Sequence, residues 1–177
     1  MSRSVLLLRA VNVSGRNRVP MSRLRELLTA ETELNDVSTY IASGNIICGT
    51  PEHPAATCAA VRMAIHDEFG VDTPVIHRTH AQLVSSESAQ PFPEGDVKSV
   101  HAMFLEGAPS GDAIEALRQR LRDTERIALI GDDLWIDYGA GGVHSTKLTK
   151  TVLDRALGVA GTARNLRTTR TLIELTA

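Results

Sequence analysis

A loop near the start of the chain carries side chains suited to binding an anion. From Ser14 to Arg18 the sequence reads Ser-Gly-Arg-Asn-Arg, which alternates guanidinium and amide groups beside a glycine. A guanidinium can bind a carboxylate or a phosphate through two parallel hydrogen bonds. We therefore expect Arg16, Asn17 and Arg18 to bind an anionic group. Solvated turn residues would give the same pattern, and that interpretation stays open.

Residues 139–147 form a glycine-rich segment, Gly-Ala-Gly-Gly-Val-His-Ser-Thr-Lys, before a predicted helix. Exposed backbone N–H groups and the helix dipole both favour an anion at such a place. The segment is not a Walker motif, because no Gly-Lys-Ser/Thr follows at the required spacing. It is either a phosphate-binding loop to which Lys147 adds a cation, or a flexible connection whose helix is capped by Ser145 or Thr146.

Arg164 and Asn165 stand directly before the last predicted helix and offer a guanidinium and an amide together. A guanidinium in this position could bind a planar anion with two hydrogen bonds. The simpler role for Asn165 is the N-cap of that helix, since asparagine is a preferred capping residue.

Positive charge is concentrated at the two ends of the chain. Residues 1–30 hold six basic and one acidic side chain, residues 141–177 hold six and two, and residues 31–140 hold seven and eighteen. Basic ends that meet in space would create a positive face on an otherwise acidic protein. We expect convergence on one basic cleft, although separate solvated surfaces would show the same charges. The converging residues would be Arg16, Arg18, Lys147, Arg164 and Asn165.

Other chemistry finds little support in the sequence. Of the six histidines, only His77 and His80 have a ligand-like spacing, and no acidic or cysteine residue stands nearby to complete a local metal site. Ser43 precedes a glycine but lacks the Gly-x-Ser-x-Gly pattern of a nucleophile, so it is interpreted as a turn residue. Cys48 and Cys58 belong to no Cys-x-x-Cys pair and are expected to be structural thiols. We therefore expect neither a metal nor a cofactor.

The hydrophobic pattern predicts the same order of elements twice: strand, helix, strand, strand, helix, strand. Continuous apolar runs indicate buried strands, and apolar residues at helical spacing indicate amphipathic helices. The first set has strands at 5–11, 37–42, 46–49 and 73–78 and helices at 20–30 and 54–69. The second set has strands at 100–105, 127–130, 134–138 and 161–164, helices near 114–121 and 148–157, and a further helix from about 166.

This order is that of the ferredoxin-like fold, in which the first and third strands are central. The sequence thus predicts an α+β protein of two tandem ferredoxin-like (β-α-β-β-α-β) subdomains with antiparallel sheets, plus a C-terminal helix. The predicted divisions are 1–80, a connecting helix and linker at 81–96, and 97–177. Asp132 and Asp133 fall at a predicted hairpin tip, where we expect both to face water.

Composition predicts a soluble protein that acts in the cytoplasm. Hydrophobic residues at 42% and charged residues at 23% match an ordinary globular chain. The longest apolar runs, such as Val5–Leu8, are far shorter than the roughly 20 residues needed to cross a bilayer. The first residues also lack the apolar core of a signal peptide. We expect no membrane partner, and the sequence leaves the oligomeric state open.

Several tracts together resemble one bacterial family, that of domain of unknown function 1697. The tracts are residues 8–13, 17–21, 39–45, 91–92, 147–149, 157–158 and 162–165. The resemblance spans the whole chain and implies an α+β fold with two related subdomains, but it implies no activity. Within these tracts lie the remaining candidate ligand-binding residues, Asn12, Ser43, Asn45 and Thr149.

The residues thus favour a protein that binds an anionic ligand in a basic cleft. Phosphate, a nucleotide and the backbone of a nucleic acid all have the required charge. Two alternatives stay open at this point, an enzyme that acts on such a ligand and a structural or protein-interaction domain. The sequence does not decide whether the protein is an enzyme.

Overall fold

A computed structural model describes residues 2–177 and divides them into two compact units. One unit extends to Leu83 and takes in Leu172–Ala177, and the other is Val84–Thr171. Each unit contains a four-stranded antiparallel sheet with the same strand order. The predicted α+β class with two tandem ferredoxin-like subdomains and a C-terminal helix is therefore confirmed.

The first sheet has the strand order β2-β3-β1-β4, so β1 and β3 are central as predicted. Two helices connect the strands, and a third follows the sheet. The core on the helical side includes Leu6, Ile46, Leu24 and Ile65, all fully buried. The elements are β1 (Arg3–Leu8), α1 (Met21–Glu31), β2 (Ser38–Tyr40), β3 (Asn45–Gly49), α2 (Pro54–Phe69), β4 (Val75–Thr79) and α3 (His80–Ser88).

The second sheet repeats this topology in the order β6-β7-β5-β8. Its own core includes Met103, Leu117, Leu134 and Leu157, which are all buried. A single 3-10 turn at Gly139–Gly141 lies between β7 and α5. The elements are β5 (Val100–Leu105), α4 (Ala113–Arg118), β6 (Arg126–Ile130), β7 (Asp133–Asp137), α5 (Lys150–Leu157), β8 (Gly161–Asn165) and α6 (Leu166–Thr176).

The helix ends follow from local backbone chemistry. Pro54 opens α2, where its missing N–H costs no intrahelical hydrogen bond. Gly70 ends the same helix with φ of 66°, a left-handed conformation that glycine adopts at little cost. Gly158 ends α5 in the same way, with φ of 69°. Both helices therefore end at glycines that the sequence marks.

The two sheets place a buried arginine at the same register. Arg78 on β4 lies opposite Val5 on β1, and Arg164 on β8 lies opposite Ala102 on β5. Each guanidinium donates from Nη1 to the carbonyl of the preceding residue, at 2.9 Å in both units. The repeat therefore extends from the order of elements to individual side chains.

Two details differ from the sequence-based expectations. The first strand ends at Leu8 rather than near Val11, because Ala10 and Asn12 have left-handed φ values of 52° and 55° that no strand accommodates. Asp133 is the first residue of β7 and is 6% exposed, so only Asp132 of the pair faces water. The turn is thus one residue shorter than predicted.

Two further expectations concern thiols and membranes. Cys48 is buried on β3 and Cys58 is half-buried on α2, and both are thiols rather than disulfide partners. None of the helices in residues 2–177 has the length and apolar character that crossing a membrane requires.

Candidate functional site

Two loops of the first unit, residues 9–19 and 40–45, are tied together by one side chain. The Asn12 Nδ2 group donates to the carbonyl of Ala42 at 2.8 Å and to that of Val19 at 2.9 Å. The Asn12 Oδ1 atom accepts the N–H of Val19 at 2.8 Å. These two segments are called the loop pair below, and Asn12 fixes one against the other.

Within the loop pair, residues 9–19 fold into a tight hairpin. The N–H of Asn12 donates to the carbonyl of Asn17, and the N–H of Arg16 donates to that of Val13, each at 2.9 Å. The side chain of Asn17 closes the base of the hairpin by donating to the Ala10 carbonyl at 2.9 Å. Arg16 therefore stands next to a turn that several hydrogen bonds hold in place.

Left-handed backbone is concentrated in the loop pair. Ile41 has φ of 49° although it is β-branched, and such residues rarely adopt this conformation. Each non-glycine residue in that region costs roughly 1–2 kcal/mol. Strained backbone of this kind clusters at binding and catalytic sites, where the surrounding structure enforces it. The other non-glycine residues of the loop pair with positive φ are Ala10, Asn12, Ser14 and Asn17.

The second segment of the loop pair is anchored on β1 and by Asn45. The N–H of Leu8 donates to the Gly44 carbonyl at 2.8 Å. Asn45 is fully buried, and its Nδ2 group donates to the Tyr40 carbonyl at 2.9 Å and to the Ser43 Oγ atom at 3.1 Å. Asn45 thus shapes the loop from inside and has no surface to offer a ligand.

The exposed face of the loop pair combines arginines with apolar side chains. Arg16 and Arg18 are exposed, and neither forms an ion pair with any residue in 2–177. Val13 is 55% exposed and Ile41 is 48% exposed. The chain has no acidic residue before Glu26, so the arginines lie in a locally positive stretch. This face can attract an anion and also contact an apolar group.

The remaining candidate residues belong to the second unit, where each has a defined contact or exposure. Thr149 caps α5, since its Oγ1 atom accepts the N–H of Val152 at 3.3 Å. The Asn165 Oδ1 atom accepts the N–H of Thr168 at 2.8 Å and so caps the start of α6. Lys147 is exposed.

Arg164 is 7% exposed, and its Nη1 atom donates to the Thr162 Oγ1 atom at 2.8 Å. Burial of this guanidinium lowers its pKa to about 10. Its position within the sheet differs from that of the exposed arginines of the loop pair.

The helix that follows the glycine-rich segment has a different N-cap from the two candidates, Ser145 and Thr146. Helix α5 begins after Thr149, not after Ser145 or Thr146. The Ser145 Oγ atom instead donates back to the Gly141 carbonyl at 2.8 Å, and the Thr146 Oγ1 atom accepts the N–H of Leu148 at 3.0 Å. The serine and the threonine stabilise turns within the segment, which separates its glycines from the helix.

The structure brings together the candidates of the first unit and not those of the second. Asn12, Arg16, Asn17, Arg18, Ser43 and Asn45 all lie in the loop pair. Lys147, Thr149, Arg164 and Asn165 lie in the second unit. One cleft shared by all of them stays a prediction.

Sequence reasoning missed Val13 and Ile41. Ile41 falls within the predicted strand 37–42, where an apolar residue predicts burial, and Val13 is an apolar residue in a loop otherwise rich in polar side chains. The signal that was available is the surrounding run of glycine, serine and asparagine, which favours left-handed turns. Residues 2–177 contain no group of three histidine, cysteine or acidic side chains placed to hold a metal ion.

Comparisons with known proteins agree with this fold. A family model described as "Protein of unknown function (DUF1697)" matches residues 1–135. The solved structure of a conserved bacterial protein from Streptococcus pneumoniae is similar over 99% of both chains, with a TM-score of 0.77 and 21% sequence identity. No curated protein matches the chain. The structural similarity supports the fold alone.

Proposed function

This chain belongs to the DUF1697 family, whose description names no activity, and we propose from the residues of its site that the loop pair binds a phosphate-bearing ligand. The observation that carries the proposal is the pair of exposed guanidinium groups of Arg16 and Arg18 on a hydrogen-bonded hairpin. Such groups bind phosphate oxygens with charge-assisted hydrogen bonds. Neither has a carboxylate partner in the described part of the chain.

Backbone donors support the same ligand. Among residues 2–177, no protein acceptor takes the N–H groups of Ser14 and Gly15 at the hairpin tip. Ser14 and Gly15 are both exposed residues of this turn, and Gly15 has φ of 75°. Backbone N–H groups of successive turn residues can form a concave site for an anion. A phosphate here would be bound by the backbone as well as by two arginines.

The apolar neighbours indicate that the ligand is larger than free phosphate. Val13 and Ile41 belong to the same loop pair as the arginines, and each exposes about half of its surface. Removing apolar surface from water contributes about 25 cal/mol per Å². A nucleotide or a short nucleic acid supplies both a phosphate and a flat ring that can cover these side chains.

Because Cys48 and Cys58 are thiols, we propose that the protein acts in the reducing cytoplasm.

The test is a titration of the full chain with inorganic phosphate, nucleotides and a short single-stranded oligonucleotide, followed by thermal unfolding. A ligand at one hundred times its Kd that binds only the folded protein adds roughly 2.7 kcal/mol of stability. The variants Arg16→Gln and Arg18→Gln should each weaken binding, and the dependence of affinity on salt should become less steep.

Arg167→Gln is the matched control, because Arg167 is an exposed arginine of the second unit. This variant should bind as the wild type does. If the double variant Arg16→Gln/Arg18→Gln kept wild-type affinity, or if none of the three ligand types raised the melting temperature, the proposal would be wrong.

A further inference from the structure

A cavity of about 420 Å³ lies between α4 and α5 in the second unit. Its apolar wall includes Leu117, Val152 and Ala156, of which Leu117 is fully buried. Small-molecule sites commonly have volumes of about 300–1,000 Å³ and are mostly apolar with a few polar groups. The cavity is therefore large enough for a small organic molecule.

The corresponding helices of the first unit are longer, and an ion pair joins them. There α1 has 11 residues and α2 has 16, and the Arg23 Nε atom on α1 is 2.7 Å from the Glu68 Oε1 atom on α2. In the second unit α4 has 6 residues and α5 has 8. The helices that bound the cavity are therefore shorter than their counterparts in the first unit.

Two arginines at the rim of the cavity have no acidic partner. Arg120 and Arg155 both line the cavity and are exposed, and neither guanidinium bonds to an acceptor in residues 2–177. Asp112 is the acidic residue of the lining, so the cavity has an excess of one positive charge. That excess favours a ligand with a single negative charge.

We propose that this cavity binds a small carboxylate with an apolar body. The carboxylate contacts Arg120 and Arg155, because a guanidinium donates two parallel hydrogen bonds to this group. The apolar body covers Val152 and Ala156, which removes their remaining accessible surface from water. This site uses no residue of the loop pair and is independent of the phosphate proposal.

The experiment is a titration of the isotope-labelled full chain with hexanoate, with hexan-1-ol and hexylamine as probes of the same apolar length. Hexanoate should bind at least about tenfold more tightly than either of the others, a difference of about 1.4 kcal/mol. Amide signals of α4 and α5 should shift, whereas those of the loop pair should not.

Arg120→Gln and Arg155→Gln should each weaken hexanoate binding about tenfold. Arg118→Gln is the matched control, since Arg118 lies on α4, is exposed, and does not line the cavity. Ala116→Phe should also abolish binding by filling the space, because Ala116 lies in the exposed part of the lining. The three glutamine variants alter exposed side chains, so they test the proposal even if Ala116→Phe fails to fold.

Three results would overturn the proposal. They are equal affinity for hexanoate and hexan-1-ol, unchanged hexanoate affinity in the double variant Arg120→Gln/Arg155→Gln, and signal shifts confined to residues outside α4 and α5. A protein that binds hexanoate in this way but is not stabilised by phosphate, nucleotides or the oligonucleotide would contradict only the function proposed for the loop pair.

Discussion

At the scale of single residues, the loop pair combines unfavourable conformations with exposed side chains. Ile41 is the clearest case, because a β-branched residue has φ of 49° while its side chain is 48% exposed. A core residue could offset such a cost by burial, but Ile41 is only half-buried. The strain therefore has a measurable effect on stability.

Ile41→Asn should raise the free energy of unfolding by up to about 1 kcal/mol, since asparagine tolerates the left-handed region better than isoleucine. Urea unfolding measures the change. Val13→Asn is the control, because Val13 is equally exposed but is not among the residues with positive φ. A loss of stability in Ile41→Asn would show that contacts of the isoleucine outweigh its strain.

Two histidines should make the stability depend on pH. Burial lowers the pKa of His77, and the neighbouring positive charge of Arg78 lowers it further. Burial also lowers the pKa of His101, although the Ser99 carbonyl, 3.1 Å from Nδ1, acts in the opposite direction. The Tyr138 ring packs edge-on against His101, with 5.0 Å between centroids. Folding therefore favours the neutral form of both imidazoles relative to the unfolded chain.

As the pH falls below the ordinary histidine value of about 6.5, the unfolded chain takes up protons that the folded chain resists. The free energy of unfolding should therefore fall between pH 7 and pH 5, by at most about 1.4 kcal/mol per pH unit for each histidine. Urea unfolding across this range measures the slope. His77→Gln/His101→Gln should have a shallower slope, and an unchanged slope would contradict the assignment.

At the scale of elements, sequence patterns predict the helix ends better than the loops. Pro54 and Gly70 bound α2 as expected, because their backbone preferences act locally. Strand β1 ends earlier than the apolar pattern predicts, since Ala10 is compatible with a strand but has a left-handed φ, and its carbonyl accepts a hydrogen bond from the Asn17 side chain. Local preference therefore predicts an element only where distant contacts do not override it.

The residues of the candidate site also divide into those that local preference predicts and those whose role depends on the fold. Arg16 and Arg18 are predictable because charged residues in a glycine-containing loop are exposed. The structural roles of Asn12 and Asn45 are not, since both donate to carbonyls of other loop residues that only the folded chain brings near. Similarly, the burial of Arg164 cannot be inferred from its charge, which favours exposure.

Gly44 lies in close contact with Leu8 and so holds the second segment of the loop pair against β1. A Cβ atom at Gly44 would lie 2.7 Å from the Leu8 Cβ atom, and its φ is 85°. Gly44→Ala should therefore lower the free energy of unfolding by about 2–5 kcal/mol, through overpacking together with backbone strain.

The matched variant is Gly15→Ala, at φ of 75° with nothing within 4 Å of the added Cβ atom. It should cost only about 1–2 kcal/mol, which is the backbone contribution alone. Urea unfolding compares the two variants. Equal losses would mean that the close approach to Leu8 contributes nothing.

At the scale of the whole molecule, the chain contains the same sheet topology twice, and the similar structure from Streptococcus pneumoniae covers 99% of it. The repeated order of elements is predictable because strand-like and helix-like apolar patterns follow one another in the same order in both halves. The allocation of Leu172–Ala177 to the first unit was not, since a terminal amphipathic helix carries no signal for the unit it packs on.

Removing Leu172–Ala177 should therefore weaken the first unit. Leu172 is fully buried, Thr176 is 2% exposed, and the Thr176 Oγ1 atom is 3.1 Å from the His80 Nδ1 atom. Loss of a buried leucine alone costs about 2–5 kcal/mol. Hydrogen exchange should become faster for amides of β1 and β4 than for those of β5. Deletion of the exposed Ala177 alone is the control, and it should change neither the stability of the first unit nor the exchange rates. Equal acceleration of exchange in both sheets would contradict the prediction.

The hydrogen bond from the Arg3 Nη1 atom to the Leu175 carbonyl, 3.2 Å long, places the first strand beside the last helical turn. An arginine side chain is short compared with the width of the domain, so the segments around Arg3 and Leu175 are neighbours in the folded state. A few glycines could join Ala177 to Ser2 and make the backbone circular. New ends could then be opened at an exposed turn such as Gly131-Asp132, giving a circular permutant with the same folded topology.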